Sequence, residues 1–146
     1  MNPITLTILG QPCSKANTRQ IVVIGGRPKV IKSKPALEYE RAALLQIPPR
    51  ARVMLEGPVS VTLRLFYATE LPDLDESIVL DVLQARYRRV GDRRELVQRG
   101  VYANDRQVRE KHVYHGIDRA NPRAEITVQP LQAQQADLLA GVEVAA

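Results

Sequence analysis

The 146 residues, 45% hydrophobic and 25% charged, suffice for one core and are too few for two, and no run approaches the roughly 20 uninterrupted apolar residues of a membrane helix. A single cysteine, Cys13, excludes an internal disulfide and a cysteine-rich zinc site, so secreted scaffolds and metal fingers are ruled out. The 21 Lys and Arg against 16 Asp and Glu leave a charge of +5, suited to phosphate backbones, while only 4% aromatic residues favours gripping a duplex over stacking single-stranded bases.

In chain order, Ile4-Thr5-Leu6-Thr7-Ile8 alternates at period two and predicts a strand, ended by Gly10 and Pro12. Gln11 to Arg19 is polar and reads as an exposed loop or irregular strand, with Lys15, Asn17 and Arg19 on alternate positions. Gln20–Ile24 and Pro28–Lys32 are β-branched runs on either side of Gly25-Gly26, which can supply the positive φ of a tight turn, so a basic β-hairpin is predicted. Ser33 is placed to cap a helix with Pro35 and Glu38 in its first turn, stopped by Pro48-Pro49, with Leu37, Arg41, Leu44 and Leu45 on one face.

The clearest strand is Val59 to Tyr67, alternating Val59, Val61, Leu63, Leu65 and Tyr67 with polar neighbours. A short helix is expected from Asp75 to about Gln84, and Ala85 to Gly100 follows with six arginines against Asp92 and Glu95. Such a run reads either as a solvated face or as a phosphate-gripping loop. Val108–Ile117 and Ala124–Val128 look like two more strands joined by the turn Asp118 to Pro122. Strands and helices without regular βαβ spacing define an α+β domain over residues 1–130, with a mixed or antiparallel sheet and two or three helices. Residues 131–146 form an Ala- and Gln-rich extension, helical or disordered. No basic region followed by an apolar run and a small-residue cleavage site opens the chain, so a cytoplasmic protein with no membrane partner is expected.

Chemistry concentrates at Asp73-Leu74-Asp75, after the best strand, and at Asp105. In extended backbone, residues two apart project to the same side roughly 6.5 to 7 Å from one another, so two carboxylates can face one hard cation and a third can complete a charge-dense site for Mg²⁺. The competing use is local: Asp75 stands where a helix N-cap belongs, and Asp105 beside Asn104 suits a turn. His112, His115 and Cys13 do not make a zinc site, because a spacing of three puts the histidines on opposite strand faces.

Taken in order, Pro12-Cys13-Ser14-Lys15-Ala16-Asn17-Thr18-Arg19, Asp73-Leu74-Asp75 and Asn104-Asp105-Arg106-Gln107-Val108 resemble the motifs of the RusA family of Holliday junction resolvases. The resemblance spans Ile4 to about Pro130. It implies a small α+β endonuclease, bacterial or phage-encoded and nucleoid-associated, that nicks opposed strands of branched double-stranded DNA as a homodimer with Mg²⁺, for which Mn²⁺ can substitute. Carried over by position, Asp73, Asp75 and Asp105 match the metal-binding, catalytic carboxylates. Lys15, Asn17 and Arg19 match the basic N-terminal motif, with Lys32, Lys34 and Arg106 as further DNA contacts. The family's catalytic lysine is replaced by Val79, and Asn104 stands where the family has an aspartate. Among Lys15, Lys34 and Lys111, the expected substitute for the lysine is Lys111, on the strand that follows Asp105.

Overall fold

The elements run β1 (Ile4–Leu9), β2 (Arg19–Ile24), β3 (Arg27–Lys32), α1 (Lys34–Gln46), β4 (Val59–Tyr67), α2 (Ser77–Leu83), β5 (Arg86–Val90), β6 (Arg93–Gln98), β7 (Val108–Ile117) and β8 (Arg123–Pro130). They come from a computed structural model that describes residues 3–14 and 19–131, so the predictions for Lys15 and Asn17, and for the extension from residue 132 onward, lie outside the described residues. A four-stranded mixed sheet in the order β1-β8-β4-β7 forms the centre, antiparallel except where β4 pairs with β7. The fold is α+β, as the mixture of periodicities requires.

Period-two alternation decides which face each strand buries. Leu6, Ile126, Leu63 and Val113 stand in one row across the sheet, and the helices cover that face through Ala36, Ala43, Ile78, Val82 and Leu83. One residue away, the row Thr7, Glu125, Arg64 and Tyr114 lies on the opposite, polar face, where the Arg64 guanidinium sits 5.0 Å from the centre of the Tyr114 ring. Each large side chain closed into the core contributes on the order of 1.5–3 kcal/mol. Among the described residues no helix is long and apolar enough to cross a membrane.

The N-terminal hairpin is present as expected, its two-residue loop formed by Gly25 (φ 59°) and Gly26 (φ 78°). Ser33 caps α1, its side-chain oxygen accepting from the Ala36 N–H at 3.2 Å. The buried face of α1 differs from the expected one. Ala36, Ala43 and the following Ile47 point inward, whereas Leu37 and Leu45 are 46% and 85% exposed. Small residues at 36 and 43 let the helix lie close against its neighbours, and bulk at 37 and 45 has no place there.

The arginine-rich stretch is a solvated charged face, as one of its two readings has it, and it is built of strands rather than a loop. It folds into the second hairpin, β5–β6, with Gly91 at φ 61° opening the two-residue turn. After it, Gly100 to Tyr102 threads between Met54-Leu55 and the end of α2: the Met54 N–H donates to the Gly100 carbonyl (3.0 Å), Leu55 to Val101 (2.7 Å), and Val101 to Leu83 (2.8 Å). A Cβ on Gly100 would lie 2.4 Å from the Ala85 nitrogen, so only glycine permits this approach.

Burial raises the phenols of Tyr39, Tyr67 and Tyr102 above their ordinary 10.0, and burial with the charge of Asp75 raises the Cys13 thiol above 9.0. The folded chain therefore keeps protons that the unfolded chain releases, and stability is complete below about pH 9 and declines as pH rises beyond it. The urea midpoint at about pH 10.5 is expected below that at about pH 8; equal midpoints would contradict the burial of these groups.

Candidate functional site

Three segments far apart in sequence meet at α2. Strand β4 delivers the chain to Asp73-Leu74-Asp75, where Leu74 packs against the core and Asp73 is exposed. The Asp75 N–H donates to the Tyr67 hydroxyl at 3.2 Å, and its Oδ1 accepts from the Ser77 N–H (3.0 Å) and the Ser77 hydroxyl (2.8 Å). Asp75 thus makes a local turn contact with Ser77 just ahead of α2, whose N-cap position is Glu76 without a side-chain cap bond, so the cap expected at Asp75 falls one residue later. Tyr67 is itself held by a stacked His115 ring, with centroids 5.3 Å apart.

The Gln11–Ser14 loop runs alongside. Gln11 Oε1 accepts from the Ala68 N–H at 2.8 Å, the Cys13 thiol lies 3.8 Å from the Pro35 carbonyl, and the charge of Asp75 reaches that thiol. Neutralising that charge lowers the thiol pKa toward its usual value. Asp75→Asn is therefore expected to alkylate faster than the wild type at Cys13 with iodoacetamide near pH 8.5, read by mass spectrometry; equal or slower alkylation would separate the two residues.

From β7, Lys111 places its Nζ 2.7 Å from Glu76 Oε1, so the expected cation does reach the acidic start of α2. Val79 is 1% exposed and faces the core, so a lysine at that position would point away from solvent. At the other end of α2, Gln84 Oε1 accepts from the Asp105 N–H at 3.1 Å. The residues around Asp105 are architectural: Asn104 and Gln107 form a capping box for the 3-10 turn Asp105–Gln107, and Gln107 Nε2 donates to the Leu55 (2.7 Å) and Gly57 (2.9 Å) carbonyls. Asp105 keeps its carboxylate exposed, sharing a hollow of about 250 Å³ with Leu80, Arg109, Glu110 and Lys111.

The three aspartates are not gathered into one ligand set. Seven residues of α2 separate its ends by about 10 Å, with Asp75 at one end and Asp105 tethered to the other. Among the described residues, no three His, Cys, Asp or Glu side chains lie together as metal ligands, so the arrangement does not fit a Mg²⁺ held jointly by Asp73, Asp75 and Asp105. What the site does gather is Asp105 and Lys111 beside one hollow, with Glu76 paired to the lysine, while the Glu110 carboxylate turns to the other face of β7. Glu110 and Glu76 escaped the sequence reading because their roles depend on contacts across elements: Glu110 Oε1 lies 2.8 Å from His112 Nε2 and 3.4 Å from the Ser60 hydroxyl.

Of the expected DNA contacts, Arg19 and Lys34 are exposed, and exposed Arg106 lies beside Arg109 along the rim formed by Gly57 and Pro58. Lys32 is turned inward, where it pairs with Glu40 at 2.7 Å and with Asp81. Burial alone would lower its pKa, but the bonds to Asp81 and Glu40 outweigh that and raise it. Glu40 also takes Arg86 Nη1 at 2.8 Å, so the bases of the two basic hairpins are tied together through one carboxylate of α1. No protein-family model matches the chain, and no curated protein matches it.

Proposed function

We propose that the chain is a structure-selective endodeoxyribonuclease of the RusA type, nicking opposed strands of four-way DNA junctions in recombination and repair. The observation that carries this reading is the meeting at α2 of the motif segments: the Gln11–Ser14 loop beside Asp75, Lys111 on Glu76, and Asp105 on Gln84. The order of the motifs predicts one site, and the packing of all three segments on α2, Asp75 at its start and Asp105 at its end, supports that reading.

Charge supplies the second support. The β2–β3 hairpin presents Arg19, Arg27 and Lys29, with Lys32 turned inward, and β5–β6 carries five more arginines, so duplex arms have two basic ribbons to lie against. At the hollow beside Asp105, Lys111 brings positive charge to where a phosphate would accumulate negative charge, and Asp105 presents a proton acceptor. A two-fold dimer suits a symmetric junction, and the RusA resemblance implies Mg²⁺ as cofactor. Among the described residues the three aspartates do not share a ligand set for that ion.

That separation, together with the inward-facing Val79, favours a second reading in which the chain binds junctions and cleaves them weakly. An end-labelled four-way junction incubated with the protein in Mg²⁺, Mn²⁺ or EDTA separates the two. The nuclease reading predicts nicks with either metal and none in EDTA. Binding without nicks in every condition would support the second reading, and neither binding nor nicking would contradict both.

A further inference from the structure

We infer that the β5–β6 hairpin and the Ala103–Asn104 segment form a seat for a backbone phosphate of duplex DNA, beside the Asp105 hollow. Arg86, Arg88, Arg89 and Arg94 line an open hollow of about 420 Å³ together with Tyr87 and Asn104, and no carboxylate is among its lining residues. Four arginines so close together repel one another unless anions compensate. Two are compensated within the protein: Arg86 by Glu40 at 2.8 Å and Arg88 by Glu95 at 3.0 Å. For the other two, the contacts are neutral. Arg89 Nε donates to the Gly91 carbonyl at 3.2 Å, and the Arg94 guanidinium lies 4.5 Å from the centre of the Tyr87 ring.

Arg86 is committed to the protein: its Nη1 is bonded to Glu40 and its Nε and Nη2 are closed off from solvent, so the uncompensated cations at the hollow are those of Arg89 and Arg94. The planar fork of arginine matches two oxygens of a phosphate, and several forks around one space make a phosphate seat. The backbone source follows from position: Asn104 lines the hollow and immediately precedes Asp105, so a strand crossing the candidate site lays its next phosphates here. This inference rests on the duplex-DNA part of the proposed function.

The test measures binding of a fluorescein-labelled linear duplex and a four-way junction by anisotropy, in EDTA, between about 50 and about 200 mM KCl. Arg89→Gln/Arg94→Gln, both on an exposed ribbon, is compared with the wild type and with Arg93→Gln, whose side chain does not line the hollow. Losing two phosphate contacts should reduce the salt slope by about 2, so the affinity the variant loses across that range is about tenfold smaller than the loss in the wild type. Thermal shifts in inorganic phosphate against chloride at equal ionic strength form the second arm, with the wild type stabilised and the double variant not. A wild-type slope in the double variant, or a slope change no larger than that of Arg93→Gln, would overturn the seat. So would stabilisation by free phosphate without a change in duplex binding, which would assign the hollow to small anions. A reduced slope in a protein that never nicks a junction in Mg²⁺ would leave the seat standing and remove the nuclease reading, whereas nicking with an unchanged slope would do the reverse.

Discussion

Replacing Tyr102 by alanine is expected to remove about 4 kcal/mol of folding free energy, in the range for truncating a large buried aromatic. Tyr102 is 0% exposed, its hydroxyl donates to the Leu80 carbonyl at 2.7 Å, and its own carbonyl accepts from the Ala85 N–H at 2.9 Å. Alanine would leave a ring-sized cavity between α2 and the strand-like segment that pairs with Leu55 and Gln84. Tyr102→Phe keeps the ring and loses only the hydroxyl bond, so about 1 kcal/mol is expected. Since domains of this size have about 5–15 kcal/mol to spare, the alanine variant should unfold at a far lower urea concentration and the phenylalanine variant at one close to wild type. Equal midpoints for Tyr102→Ala and the wild type would contradict the packing that joins α2 to the Asp105 turn.

The second large effect is on activity. Asp105→Asn is expected to lower junction nicking by about a hundredfold or more, with duplex binding and the urea midpoint unchanged, the size of effect found when one preorganised charge is removed from a reacting centre. The substitution is nearly isosteric, and the capping box uses Asn104 and Gln107 while the tether to Gln84 uses the Asp105 backbone N–H, so the turn retains its contacts. Lys111→Met should act in the same direction, by about tenfold or more, because it removes the cation while keeping the apolar stem. Wild-type nicking by Lys111→Met, with normal folding and binding, would sink the assignment of Lys111 as the substitute for the lysine absent at Val79.

How much could be read from the sequence follows from which contacts are local. Val59–Tyr67 has the bounds its alternation predicts, because it places one face on the core, and Val108–Ile117 has the expected bounds although as an edge strand it buries none of its residues fully. Gly25-Gly26 and Ser33 announce a turn and a cap through their own backbone and side-chain chemistry. The β5–β6 hairpin was harder to read because it is exposed on both faces and carries charge where a half-buried strand would alternate. Its one local signal was Gly91-Asp92, placed as a two-residue turn. The buried stripe of α1 was obscured because its two innermost residues, Ala36 and Ala43, are the least conspicuous apolar residues on the helix.

At the site, Asp75 with Ser77 two residues on was legible as a helix start to within one residue, and Asn104 with Gln107 three residues on has the spacing of a capping box. The separation of Asp75 from Asp105 was not legible. It depends on the length of α2 and on the Gln84 tether, 21 residues from Asp105 along the chain. Nor was the Lys32, Glu40 and Arg86 link, which spans three elements and turns a cation of the basic hairpin toward the protein.

The most direct test of the central claim labels each strand of a four-way junction in turn and sets it beside a linear duplex of the same sequence, with Mg²⁺ or EDTA, using wild type and Asp105→Asn. The proposed function predicts nicks at symmetry-related positions on one pair of opposed strands of the junction only, abolished by EDTA and lowered about a hundredfold or more by Asp105→Asn while the junction remains bound. Cleavage of the linear duplex at a similar rate, or a junction bound tightly by wild type and left uncut in Mg²⁺, would contradict it.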